Sequence, residues 1–426
     1  MSQLNNTLKI LNLKDKNIIF YNNYLKELKI KGKRSLVFEG YLSYTPKYCM
    51  HCGCIFDENI VKHGYKLSKL TIPKVSNLNS YLYLYKQRYK CRHCNHTFSC
   101  NTSEVELGCY ISNSTKHAIA LDATKKISEK DIAVNNNVSH STVNRIIDSY
   151  KSHIKLFKNY LPENMCFDEF KSVKSAVGLM SFNFCNADTG EIIDIVEDRR
   201  LYSLTKYFSR YSRDARLNVK NIIIDMYTPY IVLIKAMFPN ANIITDKFHT
   251  VQLINRALNK TRINLMNKDK LHYNKLKRYW KLLLRDRDSL NHFKFQKYTC
   301  LEHFMTEVDI VDYLLDLDIY LKESYWFYQH VRQSIKLKNI DKFDSIIDAQ
   351  HYNLSSYMLT AQKTLIEHRK YIHNAINSNL SNGKIEGINN LIKVIKRISF
   401  GYRSFLHFKA RILLISGLIN PTYKSI

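Results

Sequence analysis

The sequence predicts a mixed α/β fold in which a five-stranded sheet with helices follows two smaller N-terminal modules. Three observations support this prediction: two Cys-x-x-Cys pairs, a pair of short helical segments after them, and five strand-like segments in the middle of the chain. These patterns divide the chain into residues 1–108, 109–160 and 161–426, with a helical insertion at about 265–378 in the last part.

The composition limits the class of protein before any motif is considered. The 426 residues are enough for two or three domains with cores of their own. Lys and Arg number 65 against 37 Asp and Glu, and the net charge of +28 predicts a polyanionic partner, with nucleic acid favoured over a membrane.

The sequence also predicts a cytoplasmic location and no membrane partner. No apolar run approaches the roughly 18 residues of a membrane-spanning helix, and Met1–Asn6 lacks the basic start and apolar core of a signal peptide. In that compartment the ten cysteines are expected to be metal ligands or buried thiols instead of disulfides.

The first module is predicted from two Cys-x-x-Cys pairs, which follow a platform of one short helix and strands in residues 1–45. Each pair can wrap a tetrahedral zinc ion from one tight turn, and Gly53 and Asn95 stand where a left-handed backbone is wanted. The alternating segment Tyr81–Tyr85 supplies a strand for a zinc ribbon. The predicted zinc ligands are Cys49, Cys52, Cys91 and Cys94. Ordinary free cysteines are the alternative, and further side chains complicate the choice of ligands: Cys54, Cys100, His51 and His93.

Residues 61–100 are strongly basic and rich in tyrosine. The segment carries eight Lys or Arg and no acid, and such a surface suits contact with DNA phosphates. A merely solvated basic face is the alternative, but a face of that kind would normally include Glu or Asp. The side chains predicted to contact DNA here are Lys86, Arg88, Lys90 and Arg92.

A helix-turn-helix is predicted in residues 128–147. Ala133 is small enough for a close helix crossing, Val138 falls in the turn, and Ser139 caps the second helix. The core face of that helix comprises Val143, Ile146 and Ile147. Its other face is expected to read a DNA groove through His140, Ser141, Asn144 and Arg145.

The five strand-like segments predict an antiparallel meander followed by two strands that are separated by helices. They are Asn164–Phe170, Ala176–Asn186, Glu191–Glu197, Asn221–Asp225 and Asn242–Asp246. The second and third are joined by Ala187–Gly190, a tight-turn sequence in which Gly190 takes positive φ. Leu201–Tyr211 has helical spacing, and a second helix-like stretch ends at Phe238–Asn240.

Carboxylates stand at strand positions where a divalent metal is commonly bound. Asp168 and Asp225 would meet at one edge of the sheet if their strands are adjacent and parallel. Two acids so close repel each other unless a cation lies between them, as in paired-metal sites for phosphoryl transfer. The simpler interpretation is that each Asp is only a turn or capping residue at a strand end.

A third carboxylate is expected from a helix that begins near Gly383. Its core face comprises Ile385, Ile388, Ile392 and Ile395, and another face comprises Glu386, Asn390, Lys393 and Arg397. Glu386 is the single acid among eight Lys or Arg from Ser381 to the end of the sequence. The cations expected to hold DNA phosphates are Lys393, Lys396, Arg397 and Arg403.

The 160 residues (386 − 225 − 1) between Asp225 and Glu386 are too many for one strand and one helix. Helical spacing dominates Leu253–Asn379, so an all-helical insertion is predicted there. Its aromatic residues could stack on displaced bases, but at helical spacing they are more often core residues. They include Trp280, Tyr325, Trp326 and Tyr328.

Together these motifs resemble the DDE transposases of the ISL-three insertion-sequence family over nearly the whole chain. The resemblance lies in the Cys-x-x-Cys finger, the helix-turn-helix and a series of short segments. The segments are Phe167–Phe170, Ile224–Met226 with Tyr230, Phe238–Ala241, Asp246–His249, Ser381–Asn390, Lys396–Arg397 and Phe400–Arg403.

The resemblance implies a ribonuclease H-like catalytic core in which Asp168, Asp225 and Glu386 bind two Mg²⁺ or Mn²⁺ ions. Asp246 and His249 resemble the Asp-x-x-His element that accompanies this triad in related transposases. They are equally well explained as a structural hydrogen-bonded pair or as groups that support the metal ligands.

The function implied is transposition of an insertion sequence. The protein would bind the terminal inverted repeats and target sites of double-stranded DNA, as a homodimer or larger assembly that brings two ends together. One ion would lower the pKa of a water that attacks the phosphodiester, the second would stabilise the leaving oxygen, and the freed 3′-hydroxyl would attack another phosphodiester.

Two other functions remain open. The chain could be a catalytically inactive, transposase-derived DNA-binding regulator, or a ribonuclease H-like nuclease without strand transfer. The presence of all three acids favours the transposase over the regulator. A simple nuclease would not need two DNA-reading modules ahead of its metal site.

Overall fold

The computed structural model describes residues 2–55, 58–154 and 157–422. The chain divides into two compact units. Unit 1 comprises Met1–Leu156, Val173–Ser175 and Leu391–Ile426, and unit 2 comprises Phe157–Ser172 and Ala176–Asn390. The segment 161–426 therefore contributes its last residues to unit 1. The three-part division drawn from the sequence stays a prediction.

Unit 1 begins with a helix and a five-stranded sheet. These elements are α1 (Ser2–Ile10), β1 (Ile18–Ile30), β2 (Lys33–Leu42), β3 (Ile60–Val75), β4 (Leu78–Cys91) and β5 (Thr97–Ser99). The strand order is β1-β2-β4-β3 with β5 paired to β4, and only β2 and β4 run parallel among these pairs of described strands. The predicted strand around Tyr81–Tyr85 is confirmed, because Leu82 and Leu84 are fully buried between half-buried tyrosines.

Three helices follow the sheet in unit 1. They are α2 (Asn113–Asp122), α3 (Glu129–Asn135) and α4 (His140–Ser149). Ser139 caps α4 by accepting a hydrogen bond from the backbone N–H of Thr142. Val143 and Ile147 are fully buried, and Val138 lies in the turn between α3 and α4. The helix pair and its core face thus occur as the sequence predicts.

Unit 2 is built on a mixed five-stranded sheet. Its elements are β6 (Asn164–Lys171), β7 (Met180–Asn186), β8 (Ile192–Val196), α5 (Leu201–Phe208), α6 (Arg213–Leu217), β9 (Asn221–Ile224), α7 (Thr228–Met237) and β10 (Asn242–Thr245). The order is β10-β9-β6-β7-β8, with β6, β7 and β8 antiparallel and β9 parallel to both β6 and β10. The predicted meander and the two later strands are confirmed, but the second strand begins at Met180 and not at Ala176. Gly190 in the β7–β8 turn has φ +80°.

Aromatic side chains hold this sheet against its helices. Phe167 of β6 is fully buried, and its ring packs edge-on against Phe182 at 5.1 Å and stacks on Phe208 of α5 at 5.6 Å. Burying rings of this size fixes β6 strongly, since each removes a large apolar area from water. The carboxylate that follows Phe167 is therefore placed on a rigid strand.

The insertion in unit 2 is mainly helical. It contains α8 (Lys247–Lys268), α9 (Tyr273–Arg278), α10 (Trp280–Leu283), β11 (Gln296–Lys297), β12 (Phe304–Met305), α11 (Glu307–Leu315), α12 (Ile319–Lys336), α13 (Ile340–Asp348), α14 (Ser356–Glu367) and α15 (Arg369–Asn377). The prediction of an all-helical insertion was wrong in one detail. Two short segments pair antiparallel as β11 and β12 around a turn in which Cys300 has φ +68°. Tyr325 and Tyr328 are core residues, with 0% and 1% of their surface exposed.

The last two helices are α16 (Gly383–Ile398) and α17 (Phe405–Ile415), and the boundary between the units falls within α16. The predicted core face of α16 is confirmed, because Ile385, Ile392 and Ile395 are fully buried. No helix in the described part of the chain has the length and apolar character needed to cross a membrane.

Helix α17 completes the helical part of unit 1. The fully buried guanidinium of Arg411 donates to the backbone carbonyl oxygens of Ala123, Lys125 and Ile127, which lie just after α2. These bonds give partners to the carbonyl of the C-cap residue of α2 and to two carbonyls of the loop that follows it. The C-terminal segment is thus part of the same core as the helix-turn-helix.

Candidate functional site

Asp168, within β6, and Asp225, which directly follows β9, lie just beyond the last paired residues of the parallel ladder between these two strands. The ladder between β6 and β9 pairs Asn164 with Asn221 and Cys166 with Ile223. Because both partners advance together along parallel strands, the same register brings Asp168 level with Asp225, which directly follows β9. Asp168 and Asp225 are 57 residues apart in the sequence (225 − 168), and the paired residues of the ladder are also 57 apart (221 − 164).

Burial makes this pair of acids hard to ionise. Burial raises the pKa of Asp168 to about 7, and the charges of Asp225 and Glu169 add to the effect. Burial likewise raises the pKa of Asp225 to about 7, with further contributions from Asp246, Glu169 and Glu386. Neighbouring carboxylates thus add to the effect of burial on Asp168 and on Asp225, as expected where acids converge.

Three further groups converge on the same edge of the sheet. Asp246 directly follows β10 and is buried, His249 lies in the first turn of α8, and Glu386 lies in the first turn of α16. One ligand atom from each of the three lies within 4.8 Å of the others. His249 also joins this trio to Asp225, with 3.0 Å between Nδ1 and Oδ1 of the carboxylate.

Asn389 is a site residue that the sequence analysis missed. Its Nδ2 donates to Oδ2 of Asp168 at 2.7 Å, and its Oδ1 accepts a hydrogen bond of 3.1 Å from Nδ2 of Asn183. The helical face drawn from the sequence contained Asn390, which is exposed, instead of Asn389. The signal was present, since Asn389 lies three residues after Glu386 and such pairs share a helix face.

Glu169 is the other carboxylate beside Asp168, and it is paired with Arg199 and Tyr230. Arg199 donates to Oε1 of Glu169, and the hydroxyl of Tyr230 donates to Oε2 at 2.8 Å. The guanidinium of Arg199 also lies 5.0 Å from the ring of Tyr227. Both carboxylate oxygens of Glu169 thus accept hydrogen bonds from other residues of unit 2.

The residues at this edge fit a divalent cation. Oδ1 of Asp225 is buried and accepts no hydrogen bond from the described residues, although Nδ1 of His249 is close to it. Hard cations such as Mg²⁺ and Mn²⁺ prefer carboxylate oxygens, and Mn²⁺ also accepts imidazole nitrogen. A cation would remove the mutual repulsion of the acids and would occupy the lone pairs that the protein leaves open.

Five thiols cluster in unit 1 at the predicted zinc site. Cys49 lies 3.7 Å from Cys94 and Cys52 lies 3.8 Å from Cys91, both measured between Sγ atoms. Cys54 approaches Cys91 to 3.3 Å and belongs with Cys49, Cys52 and Cys91 to a group whose sulfurs all lie within 4.8 Å of one another. The predicted ligand Cys94 is not part of that group of four, and the Cys-x-x-Cys spacing did not point to Cys54.

The backbone of the two knuckles suits a metal-bound thiolate. The N–H of Cys94 and of its neighbour His93 hold the pKa of Cys91 at about 6, well below the usual value for a thiol. Gly53 and Asn95 have φ of +74° and +62°, so the left-handed positions predicted from the sequence are confirmed. The cluster therefore has the ligands and the turns that a tetrahedral zinc site requires.

The basic residues of β4 separate onto one face of the strand. Lys86, Arg88 and Lys90 share a side because successive side chains point to opposite faces. The tyrosines at positions 81, 83 and 85 belong to the other side by the same alternation. The basic residues and the tyrosines of β4 therefore lie on opposite faces of the strand, and do not form the single surface predicted from residues 61–100. The three cations are at every second position and form one row.

The predicted reading face of α4 is only partly free. Oε2 of the buried Glu129 lies 3.6 Å from Nε2 of His140, and the amide of Asn144, turned to donate, reaches the same oxygen at 2.8 Å. His407 of α17 bridges the other oxygen of Glu129 and the carboxylate of Asp148, at 3.0 and 2.6 Å. Ser141 and Arg145 remain exposed to solvent.

The predicted phosphate-binding cations of the C-terminal segment lie mainly on the surface. Lys393, Arg397 and Arg403 are exposed. Lys396 is half-buried, and its Nζ lies 6.0 Å from the ring of Phe408. Lys424, which belongs to the same basic tail, lies outside the described residues.

Comparison with known proteins gives one family and two relatives. The family model of the ISL3 DDE transposases, described as "Transposase", matches residues 165–412. A protein of Bordetella parapertussis named as the transposase for insertion sequence element IS1001 is 29% identical over 215 residues, which cover 48% of this chain and 50% of that protein. A protein of Lactococcus lactis subsp. lactis named as an ATP-dependent protease is 35% identical over 113 residues, which cover 26% of this chain and 36% of that protein. The matches thus span half or less of each relative's length.

Proposed function

This chain belongs to the ISL3 family of transposases, and from that premise we propose that it cleaves the ends of an insertion sequence and joins them to target DNA. The observation that carries the proposal is the convergence of Asp168, Asp225 and Glu386 with Asp246 and His249 at one sheet edge. All five residues fall within the part of the chain that the family model matches.

The proposed catalytic core is ribonuclease H-like. Three antiparallel strands followed by two parallel ones, with helices between them, support this assignment. Asp168, Asp225 and Glu386 would hold Mg²⁺ or Mn²⁺. The bound ions would activate the attacking hydroxyl and stabilise the leaving oxygen of the phosphodiester.

The protein's own residues shape that centre. Asn389 fixes the carboxylate of Asp168 through a hydrogen bond, and Asn183 fixes the amide of Asn389. His249 lies against Asp225 and within reach of Asp246, so we assign this pair to the support of the metal ligands. Polar partners of this kind orient ligands and limit the movement that would misplace a reacting group.

Unit 1 is the proposed DNA-binding part of the chain. Its zinc-ribbon cysteines, its helix-turn-helix and the basic row on β4 would bind the terminal inverted repeats of double-stranded DNA. The net charge of +28 supports a phosphate-dominated interface. Because two ends must be brought together before they are joined, we expect at least a homodimer on DNA, in the cytoplasm.

A cleavage assay on labelled DNA that carries the sequences flanking this gene tests the proposal. Wild-type protein with Mg²⁺ should nick at a repeat boundary and then join the freed 3′ end to a second duplex. Asp168→Asn, Asp225→Asn and Glu386→Gln should each abolish cleavage but retain DNA binding. Retained cleavage in any variant would remove that residue from the proposed triad.

The same assay separates the alternatives. DNA binding without cleavage by wild-type protein would favour a DNA-binding regulator derived from a transposase. Cleavage without joining would favour a nuclease. The two outcomes differ in one product, so a labelled target duplex in the reaction is sufficient to distinguish them.

The name of the Lactococcus lactis relative does not extend to this chain. ATP-dependent enzymes commonly cradle nucleotide phosphates in a glycine-rich loop with the pattern GxxxxGK followed by Ser or Thr. The printed sequence contains no such segment. Nothing in its residues supports proteolysis driven by ATP.

A further inference from the structure

Phe400 is the most exposed large apolar side chain in the described part of the protein. Its exposed fraction is 94%, and it lies in the turn between α16 and α17. Phe400 has φ +54° and the following Gly401 has φ +105°. A left-handed backbone is unfavourable for a bulky residue, and Gly or Asn would form the same turn more easily. Neither packing nor turn geometry therefore explains a phenylalanine here.

The turn that carries Phe400 is held firmly on both sides. The N–H of Phe400 donates to the carbonyl oxygen of Arg397 at 3.1 Å, which closes the end of α16. Tyr402 is only 8% exposed, and its ring lies 4.9 Å from the ring of Phe408. Ser404 then caps α17. The exposed ring of Phe400 thus stands on a turn that is held by hydrogen bonds and by the packing of Tyr402.

Phe400 lines a cleft that also contains residues of the helix-turn-helix. The cleft encloses about 620 Å³ within unit 1, and His140 and Asn144 of α4 form part of its wall. Lys130 and Arg403 supply positive charge, and both are exposed. An exposed aromatic ring therefore lies on the same cleft as the start of the helix proposed to read DNA.

The charges around the cleft favour a polyanion. Two acids line it, but Glu129 is bridged by His407, and Asp148 is paired with His407 and with Lys151 at 2.7 Å. From Leu391 to Thr422 the sequence contains six Lys or Arg and no acid. Nucleic acid, a polyanion, thus matches the charge of this surface better than a neutral or basic protein does.

We propose that Phe400 stacks on a nucleobase displaced from the duplex beside α4. A flat ring accepts any base, because every base offers a π-face, and apolar side chains can also unstack base steps when they enter DNA. One isolated ring is too small for a stable protein interface, which needs on the order of 1,000 Å² of buried area. This inference rests on the proposed function, since it requires that unit 1 binds DNA.

Duplexes with 2-aminopurine at successive positions test the inference, because the fluorescence of this base rises when it leaves the stack. The probe is the DNA that flanks this gene, with one substitution in each duplex. Wild-type protein should raise the fluorescence at one or two adjacent positions. Phe400→Ala should abolish this rise and weaken binding by about tenfold or more, the order expected for one stacked base. Phe400→Trp should retain the affinity, because the indole ring can stack on the same base.

The second test uses a duplex with an abasic site at the position where the 2-aminopurine fluorescence rises. Without a base to stack, wild-type protein and Phe400→Ala should bind within about twofold of each other, as expected when the pair interaction has been removed. Equal loss of affinity on intact and abasic duplexes would assign Phe400 to another role and overturn the inference. Phe400→Gly, which relaxes the left-handed turn, should behave as Phe400→Ala and thereby excludes misfolding as the cause.

Two controls separate this inference from the proposed function. Phe293, with 90% of its surface exposed in unit 2, is a matched aromatic residue, and Phe293→Ala should leave fluorescence and affinity unchanged. Cleavage is measured in the same samples with Mg²⁺. Cleavage by wild-type protein without any fluorescence change overturns only the stacking of Phe400. Absence of both binding and cleavage overturns the proposed function as well.

Discussion

The side-chain amide of Asn389 donates from Nδ2 to Oδ2 of Asp168 over 2.7 Å, and this bond joins α16 to β6. Oδ1 of the same amide accepts from Asn183 of β7, which fixes the orientation of the donor. The other oxygen of Asp168 accepts from the N–H of Glu169 at 2.7 Å. The direction of the Asp168 carboxylate is therefore set by three elements.

Removal of this amide should impair the reaction without unfolding the protein. We expect Asn389→Ala to lower cleavage and apparent metal affinity by about 10- to 100-fold, the range typical for loss of a hydrogen bond to a metal ligand. Asn390→Ala is the matched control, because Asn390 is the exposed neighbour on the same helix. Rates measured over a series of Mg²⁺ concentrations decide the point. Equal behaviour of the two variants would contradict the proposed role of Asn389.

The stability of the metal-free protein should fall as the pH rises. Burial raises the pKa of Asp168 and Asp225 from 3.8 to about 7 in the folded state, so the folded protein binds more protons than the unfolded chain between these values. The resulting stabilisation is complete below about pH 4 and is lost as the pH rises through 7. Mg²⁺ at pH 8 should restore it by binding the ionised acids.

Thermal unfolding measured from pH 5 to pH 8, with and without Mg²⁺, checks this prediction. Asp225→Asn should reduce both the pH dependence and the response to metal. Asp341→Asn, at an exposed position in the helical insertion, should change neither. A metal-free Tm that stays constant over this range would show that the two carboxyls do not titrate as proposed.

Substitution of single cysteines should identify the four zinc ligands among five thiols. Cys91→Ser should release about one zinc ion per chain and destabilise unit 1, because a structural zinc site contributes directly to folding. Cys109→Ser is the control, since Cys109 lies outside the cluster. Cys54 belongs to the group of four close sulfurs, but a Cys-x-x-Cys pair can hold an ion from one tight turn, so we expect Cys94→Ser to lose zinc and Cys54→Ser to retain it. The reverse result, measured by zinc content and thermal unfolding, would place Cys54 in the ligand set.

Arg145 should contribute more to DNA affinity than the other predicted residues of α4. Its side chain is exposed, whereas Asn144 and the equally exposed His140 both lie against the buried Glu129. Arg145→Ala is expected to weaken binding by about 1–3 kcal/mol if it contacts a base, or to lower the salt dependence by about one ion if it contacts a phosphate. Anisotropy titrations at two salt concentrations distinguish these outcomes. Lys297→Ala, at an exposed position of unit 2, should have no effect.

The strands of the unit 2 sheet and the positions of its acids could largely be predicted, because the sequence patterns that indicate them involve only neighbouring residues. Strand alternation, the glycine of the β7–β8 turn and the isoleucine spacing of α16 each depend on a few neighbouring residues, and each is confirmed. Asp168 and Asp225 come level with each other because β6 and β9 pair in one register, and the burial of both strands specifies that register.

The sequence by itself determined the family resemblance, the cysteine knuckles, the meander and the order of the acids along the chain. The tertiary structure alone decided that Asn389 and not Asn390 contacts Asp168, that Cys54 joins the thiol cluster, and that α17 completes unit 1. These facts depend on contacts between residues far apart in the chain. Periodicity gives the face of each element, but only packing selects which side chain of that face meets a distant partner.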